Sequence, residues 1–129
     1  MGIAADPVTG GYWLAAADGG VFAFGDAVFA GSTGAQHQAS PTVAIAADRN
    51  GTGYFLADAD GTVIALGGAA STGSAAPAAP IVGIAGTYQG GGYTLAAADG
   101  GTFNFGDSHF CGSAGGMRLA QPVVGIASY

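Results

Sequence analysis

The sequence predicts an all-β protein made of three copies of one repeat of about 40 residues, each copy with four short strands. Three observations predict this fold class. Isoleucine recurs at Ile3, Ile45, Ile84 and Ile126, at intervals of 42, 39 and 42 residues. Glycine, 26 of the 129 residues, separates short aromatic and β-branched runs, as in turn-rich β structure. No window of about 12 residues shows the 3.6-residue period of an amphipathic helix.

The repeat frame defines the domain organisation. We expect one domain over 1–129, with repeats at 3–44, 45–83 and 84–125, and with 126–129 as the start of a fourth copy or a closing strand. Residues that are identical in every copy are those that each repeat needs to fold, and so they carry no information about a ligand. They include Tyr12, Tyr54 and Tyr93; Leu14, Leu56 and Leu95; Gly25, Gly67 and Gly106; and the Asp-Gly pairs that begin at Asp18, Asp60 and Asp99.

Each repeat reads as four strands in order. The first is the Pro-x-Val-x-Ile-Ala segment, for example PIVGIAG from Pro80, and a turn rich in Gly, Asp or Pro leads to the second, GYWLAAAD. An Asp-Gly hairpin follows, of the kind that needs positive φ. The third strand is VFAFG from Val21 and the fourth VFAGS from Val28. Strands two and three are apolar on both faces, which is typical of a sheet covered on both sides.

Two architectures accept three such repeats. In a β-propeller each copy is one blade, and because propellers have about four to eight blades, three cannot close a ring. A lone three-blade arc would expose two large apolar faces, so we expect a homodimer that closes a six-bladed ring. The segment 122–129 is then a spare first strand for the truncated first blade of the partner. The alternative is a β-trefoil, which closes three repeats as a monomer.

The run GYWLAAADGGVFAFGDA resembles the blade core of quinoprotein-like propellers. It is more similar to the GGYWL…DGGVFAFGDA…F.GS…PVVGIA repeats of secreted, often cell-wall-associated actinobacterial proteins. The resemblance covers essentially the whole chain and implies a propeller and an extracellular or cell-surface location, but no shared activity. The second copy departs from it at Gly68 and Ser71. The N-terminus shows no signal peptide, and we expect the chain to be a piece of a longer secreted protein.

Charge excludes several classes of partner. The chain has no Lys and no Glu, its cations are Arg49 and Arg118, and its formal net charge is −6. Nucleic-acid binding draws on many basic side chains, so we expect no nucleic-acid partner. The same balance argues against anionic membranes, and no apolar run approaches the roughly 18 residues of a membrane span.

No catalytic or metal-binding constellation stands out, and we predict a protein that is not an enzyme and has no cofactor. Cys111 and His109 share a strand face, but no third group is implied. Two histidines and one cysteine make a zinc site improbable. The segments 58–61 and 48–51 faintly resemble calcium loops, yet calcium prefers several carboxylates in one loop. Turn chemistry explains both segments.

A chain-specific ligand would meet polar or aromatic loop residues that differ between copies. The sequence therefore predicts a non-enzymatic ligand-binding module, with a glycan or cell-wall polysaccharide as the favoured class. Trp13 is a further candidate because its ring can stack on a sugar, although a core role explains it as well. The alternative is a structural or protein-docking scaffold without a small ligand. The candidate ligand-binding residues are Trp13, Gln36, His37, Gln38, Tyr88, Gln89, His109 and Arg118.

Overall fold

The computed structural model describes residues 2–34, 40–69, 73–87, 91–109 and 112–126. Within these ranges the chain forms nine β-strands and no helix, so the predicted all-β class is confirmed. The strands are β1 (Gly2–Ala5), β2 (Tyr12–Ala15), β3 (Val21–Phe24), β4 (Thr42–Ala47), β5 (Gly53–Asp58), β6 (Val63–Gly67), β7 (Ile81–Gly86), β8 (Tyr93–Ala97) and β9 (Thr102–Phe105).

Each repeat forms one three-stranded antiparallel sheet, in the orders β1-β2-β3, β4-β5-β6 and β7-β8-β9. The Asp-Gly turn joins the second strand to the third. In the first sheet the Gly19 amide donates to the Ala16 carbonyl (2.9 Å), and Gly19 has a φ of 86°, a left-handed value that suits glycine. The Asp18 carboxylate accepts a hydrogen bond from the Gly20 amide (2.8 Å). The turn therefore lies where the sequence predicted it.

The prediction of a fourth strand at 28–32 in the first repeat is wrong, because no residue of this segment joins a sheet. Two aromatic side chains bind its backbone instead. The Trp13 indole Nε1–H donates to the Val28 carbonyl (3.0 Å), and the Tyr54 hydroxyl donates to the Gly31 carbonyl (2.6 Å). Since side chains satisfy these carbonyls, the segment needs no strand partner for them. Three-stranded sheets thus replace the predicted four-stranded blades.

The first blade does not lack its first strand. β1 pairs with β2 over four residues, in a register that places Ile3 opposite Leu14 and Ala5 opposite Tyr12. The edge position that the spare C-terminal strand was expected to fill in a partner chain is therefore occupied by the chain's own β1.

The three sheets stack face to face in chain order, with β1 against β4 and β4 against β7. Each sheet has a front face on the side of the preceding repeat and a rear face on the side of the following one. The front face of repeat 1 consists of Ile3, Tyr12, Leu14, Phe22 and Phe24, and its rear face consists of Ala4, Trp13, Ala15, Val21 and Ala23. Equivalent positions form these faces in repeats 2 and 3.

Two hydrophobic clusters fill the junctions between repeats. At the first junction Tyr54 and Leu56, both 0% exposed, pack on the rear face of repeat 1, and the ring centroids of Trp13 and Tyr54 are 5.2 Å apart. At the second junction the rings of Phe55 and Tyr93 are 4.9 Å apart. Full burial of such a side chain contributes about 1.5–3 kcal/mol to stability. Because both hydrophobic clusters lie at the junctions, packing between repeats supplies most of the apolar core.

A tyrosine hydroxyl also links each pair of repeats. Tyr54 donates to the Gly31 carbonyl and accepts from the Ala30 amide (3.0 Å), and Tyr93 donates to the Gly73 carbonyl at the next junction. Burial raises the pKa of Tyr54, although the two backbone hydrogen bonds oppose the shift. The hydroxyl therefore keeps its proton at neutral pH and remains a donor.

We expect Tyr54→Phe to lower the free energy of unfolding by about 1–3 kcal/mol, because the Gly31 carbonyl and the Ala30 amide lose their partner while the ring stays buried. Urea unfolding followed by circular dichroism measures this loss. The matched control is Tyr12→Phe, at the equivalent position of repeat 1, where the side chain is 41% exposed. A change below about 0.5 kcal/mol is expected there. Equal losses in the two variants would contradict the role of the junction hydrogen bonds.

Candidate functional site

Most of the predicted ligand-binding residues lie outside the described residues, and their roles stay predictions. The structure does place the remaining three: Trp13 is in the interior between repeats 1 and 2, apart from His109 and Arg118, which are exposed in repeat 3. The residues that lie outside the described ranges are Gln36, His37, Gln38, Tyr88 and Gln89.

Trp13 is a core residue. Its side chain is 0% exposed, its ring contacts Tyr54, and its indole N–H is bound to the Val28 carbonyl. A sugar stacks on an exposed aromatic face, and this ring has none. The structure therefore supports the core interpretation that the sequence offered beside sugar binding.

A shallow groove lies beside Arg118 in repeat 3. Asp99 contributes a carboxylate to it and Gln121 an amide, while Met117 and Leu119 make part of it apolar. One Asp99 oxygen accepts from the Gly101 amide (2.9 Å) and so belongs to the hairpin turn. The groove has a volume of about 250 Å³ and is lined by Ala98, Asp99, Met117, Leu119, Gln121 and Pro122.

A second groove of about 480 Å³ occupies the equivalent place in repeat 2, beside Asp60. Both grooves lie between an Asp-Gly turn and the loop to the next repeat, so the repeat architecture itself produces them. Neither groove is enclosed enough to exclude water, which ligand pockets usually do.

The front face of repeat 1 is the most conspicuous surface among the described residues. Ile3 is 65% exposed, Phe22 56%, Phe24 42% and Tyr12 41%. The rings of Tyr12 and Phe24 stack on each other with centroids 5.2 Å apart. In repeats 2 and 3 the same positions are covered by the preceding repeat, and Ile45 and Ile84 are only 5% and 6% exposed. These side chains form one exposed apolar patch among the described residues.

The aspartates of the two calcium-like segments serve the turns. Asp48 Oδ2 accepts from the Thr52 hydroxyl (2.9 Å), and Asp60 Oδ1 accepts from the Thr62 amide (3.0 Å). Asp58 Oδ1 accepts from the hydroxyl of the buried Thr42 (2.7 Å). Within the described part of the chain, no three His, Cys, Asp or Glu side chains gather in a way that could hold a metal ion.

Asp58 makes folding pH-dependent. Burial raises the pKa of Asp58 above its ordinary 3.8, the Thr42 hydrogen bond opposes this, and the charge of Asp60 adds to it. The folded chain therefore holds the Asp58 proton to a higher pH than the unfolded chain does. Its contribution to stability is present below the ordinary pKa and is lost as the pH rises through the raised value.

We expect Asp58→Asn to remove this loss, so that the variant gains stability relative to the wild type between about pH 4 and pH 7. Urea unfolding across this range measures the difference. Asp60→Asn is the control of opposite sign, because the backbone and side-chain hydrogen bonds of Thr62 lower the pKa of Asp60. Above its ordinary pKa of 3.8 the stabilising contribution of Asp60 is complete, so this variant should be less stable than the wild type by an offset that shrinks only as the pH falls below that value. Wild-type and Asp58→Asn curves that stay parallel above pH 4 would contradict the assignment.

Comparison with known proteins adds no family to this description. No model of a known protein family matches the chain, and no curated protein matches it either. Among the residues that the structure describes, no helix is long and apolar enough to span a membrane.

Proposed function

We propose that this chain is a non-enzymatic repeat scaffold that associates with copies of itself through the front face of repeat 1. The observation that carries the proposal is the exposure of Ile3, Tyr12, Phe22 and Phe24 at positions that another repeat covers elsewhere in the same chain. Burial of each such side chain contributes about 1.5–3 kcal/mol, so covering this face stabilises an assembly substantially.

The same observation bears on the architecture. A β-trefoil closes three repeats on one another and leaves no repeat without a neighbour. Here the described residues leave the front face of repeat 1 uncovered, which supports an open stack of propeller-type sheets over a closed trefoil. The function that follows from an open stack is association.

Light scattering at increasing protein concentration tests the proposal. We expect the mass to rise from 12.3 kDa toward at least twice that value. Added salt should strengthen the association, because it screens the repulsion between chains of formal charge −6 and leaves apolar contact intact. A chain that stays monomeric at all concentrations and salt levels would overturn the proposal and favour a closed monomer.

Binding of a glycan or cell-wall polysaccharide is a second candidate function. It draws support from the resemblance to secreted repeats and from the groove beside Asp99, where Gln121 offers a hydrogen-bonding amide next to apolar side chains. An extracellular location belongs to the same candidate. A glycan array tests it, with Gln121→Ala as the variant that should lose any signal found. An array without signal would overturn it.

A further inference from the structure

The turn between β4 and β5 contains an asparagine that is followed by a glycine. Asn50 and Gly51 are the third and fourth residues of this turn, which the Gly51 amide closes by donating to the Asp48 carbonyl (2.9 Å). Gly51 has a φ of 69°, a left-handed value that favours glycine. The pair is particular to repeat 2, because the residues at the same positions are Val-Thr in repeat 1 and Gln-Gly in repeat 3.

An asparagine in this context is chemically labile. The backbone nitrogen of the next residue can attack the side-chain Cγ; the new N–Cγ bond closes a five-membered succinimide ring, and the side-chain nitrogen leaves as ammonia with the backbone proton. Water then opens the ring at either carbonyl and leaves aspartate or isoaspartate. A side chain on the attacking residue hinders the first step, and glycine has none. Gly51 is therefore the neighbour that hinders this reaction least.

The structure leaves the Asn50 side chain able to react. Asn50 is exposed, and no hydrogen bond within the described part of the chain holds its side-chain amide. The restraint on the reaction is the Gly51 hydrogen bond to Asp48, which must open before the nitrogen can attack. The other asparagine of the sequence, Asn104, is half-buried in β9 and precedes Phe105, whose side chain hinders the same attack.

A change at Asn50 acts on the junction between repeats 1 and 2, because the turn lies against repeat 1. A Cβ atom on Gly51 would be 2.8 Å from Asp6 Oδ1. Within the turn the Thr52 hydroxyl donates to Asp48 Oδ2 (2.9 Å), and both aspartates are buried. Aspartate at position 50 adds a negative charge two residues from Asp48, where like charges repel. Isoaspartate also adds a backbone atom to the turn.

We propose that Asn50-Gly51 is a site of spontaneous deamidation and that the product loosens the junction between repeats 1 and 2. The hydrogen bond of the turn limits the rate, because the reaction requires the Gly51 amide to leave the Asp48 carbonyl. The folded protein therefore deamidates more slowly than the unfolded chain, and a molecule that has reacted is less stable than one that has not. The reaction needs no enzyme and does not depend on association through the front face of repeat 1.

Mass spectrometry of protein incubated in mildly alkaline buffer tests the site. Deamidation replaces NH by O, and we expect fragment spectra to locate this mass gain at Asn50 and not at Asn104. The Asp-Gly turns can isomerise through the same ring, but they lose water and regain it, so their mass does not change. Protein incubated in urea should deamidate several-fold faster. Asn50→Gln, which would have to close a six-membered ring, should show no gain. A native protein that keeps the Asn50 amide intact, whether or not the urea sample reacts, would overturn the proposal.

The effect on the junction is tested on the reacted protein. Anion exchange separates deamidated molecules, which carry one further negative charge, from intact molecules of formal charge −6. We expect the deamidated fraction to unfold at a lower urea concentration than the intact fraction. Asn50→Asp carries the charge without the extra backbone atom, so its unfolding midpoint should fall between those of the two fractions. Equal midpoints for the deamidated and intact fractions would overturn the claim that the product loosens the junction.

Discussion

Replacing Trp13 by alanine should lower the free energy of unfolding by about 3–5 kcal/mol, the range for removal of a fully buried large aromatic side chain. The indole is 0% exposed and fills the junction between repeats 1 and 2 against Tyr54. Its N–H also binds the Val28 carbonyl, so the variant loses the contact that holds the segment after β3. Native proteins are stable by only about 5–15 kcal/mol, so this loss is a large fraction of the total stability.

The matched control is Thr94→Ala, at the equivalent position of repeat 3. Thr94 is half-buried and its hydroxyl bonds Ser108, so we expect a loss below about 1 kcal/mol. Urea unfolding at pH 7, followed by tyrosine fluorescence or circular dichroism, compares the two variants without depending on the tryptophan. A folded Trp13→Ala protein with unchanged stability would contradict the core role and return Trp13 to the candidate ligand-binding residues.

Replacing Gly106 by alanine should destabilise the third sheet by about 2–4 kcal/mol, from backbone strain and overpacking together. Gly106 directly follows β9 and has a φ of 66°, in the left-handed region. A Cβ atom there would overlap the carbonyl oxygen of Gly91, which is backbone and cannot rotate away. The same glycine recurs as Gly25 and Gly67, both also at positive φ, so the turn at the end of the third strand has the same backbone conformation in every repeat.

The control for this substitution is Gly116→Ala. No atom lies within 4 Å of the Cβ position at Gly116, and its backbone is outside the left-handed region. We expect its stability to change by less than about 0.5 kcal/mol. Thermal unfolding of the two variants side by side measures the contrast. A Gly106→Ala protein as stable as Gly116→Ala would contradict the expected strain, because it would mean that the turn at Gly106 accommodates a Cβ atom.

Internal repetition made most of the fold predictable. A residue that recurs at the same place in three copies has the same structural role in each. Leu56 marks a buried strand position, and the Asp-Gly pairs mark hairpin turns. Alternating aromatic and aliphatic residues then identify the strands, and Tyr54 and Leu56 are indeed fully buried in β5. These are local properties of short segments, which the sequence displays directly.

The segment 28–32 could not be predicted correctly from its own residues. It has the β-branched and aromatic content of a strand, but the groups that bind its backbone are distant along the chain. Trp13 lies 15 residues before Val28, and Tyr54 lies 23 residues after Gly31. Whether a segment joins a ladder or is held by side chains is decided by such long-range contacts.

The candidate interaction site was predictable only in part. The sequence indicated that the outermost repeats would expose apolar faces, which is correct for repeat 1. It did not indicate that Thr94 and Asn104 share one face of repeat 3, because that depends on the register of β8 with β9, in which these two residues are paired. The predicted loop residues differ between copies, and nothing in a single sequence brings them to one place.

In each of the two tyrosine hydrogen bonds, a later repeat supplies the hydroxyl and the repeat before it supplies the carbonyl. Each of these earlier repeats therefore depends on the later one for a hydrogen bond to its last segment. Tyr54 of the second repeat binds the Gly31 carbonyl of the first, and Tyr93 of the third binds the Gly73 carbonyl of the second. During synthesis repeats 1 and 2 therefore leave the ribosome before the tyrosine that binds their last segment has been made. Removing a later repeat loosens the end of the one before it, whereas removing an earlier repeat merely uncovers the one that follows.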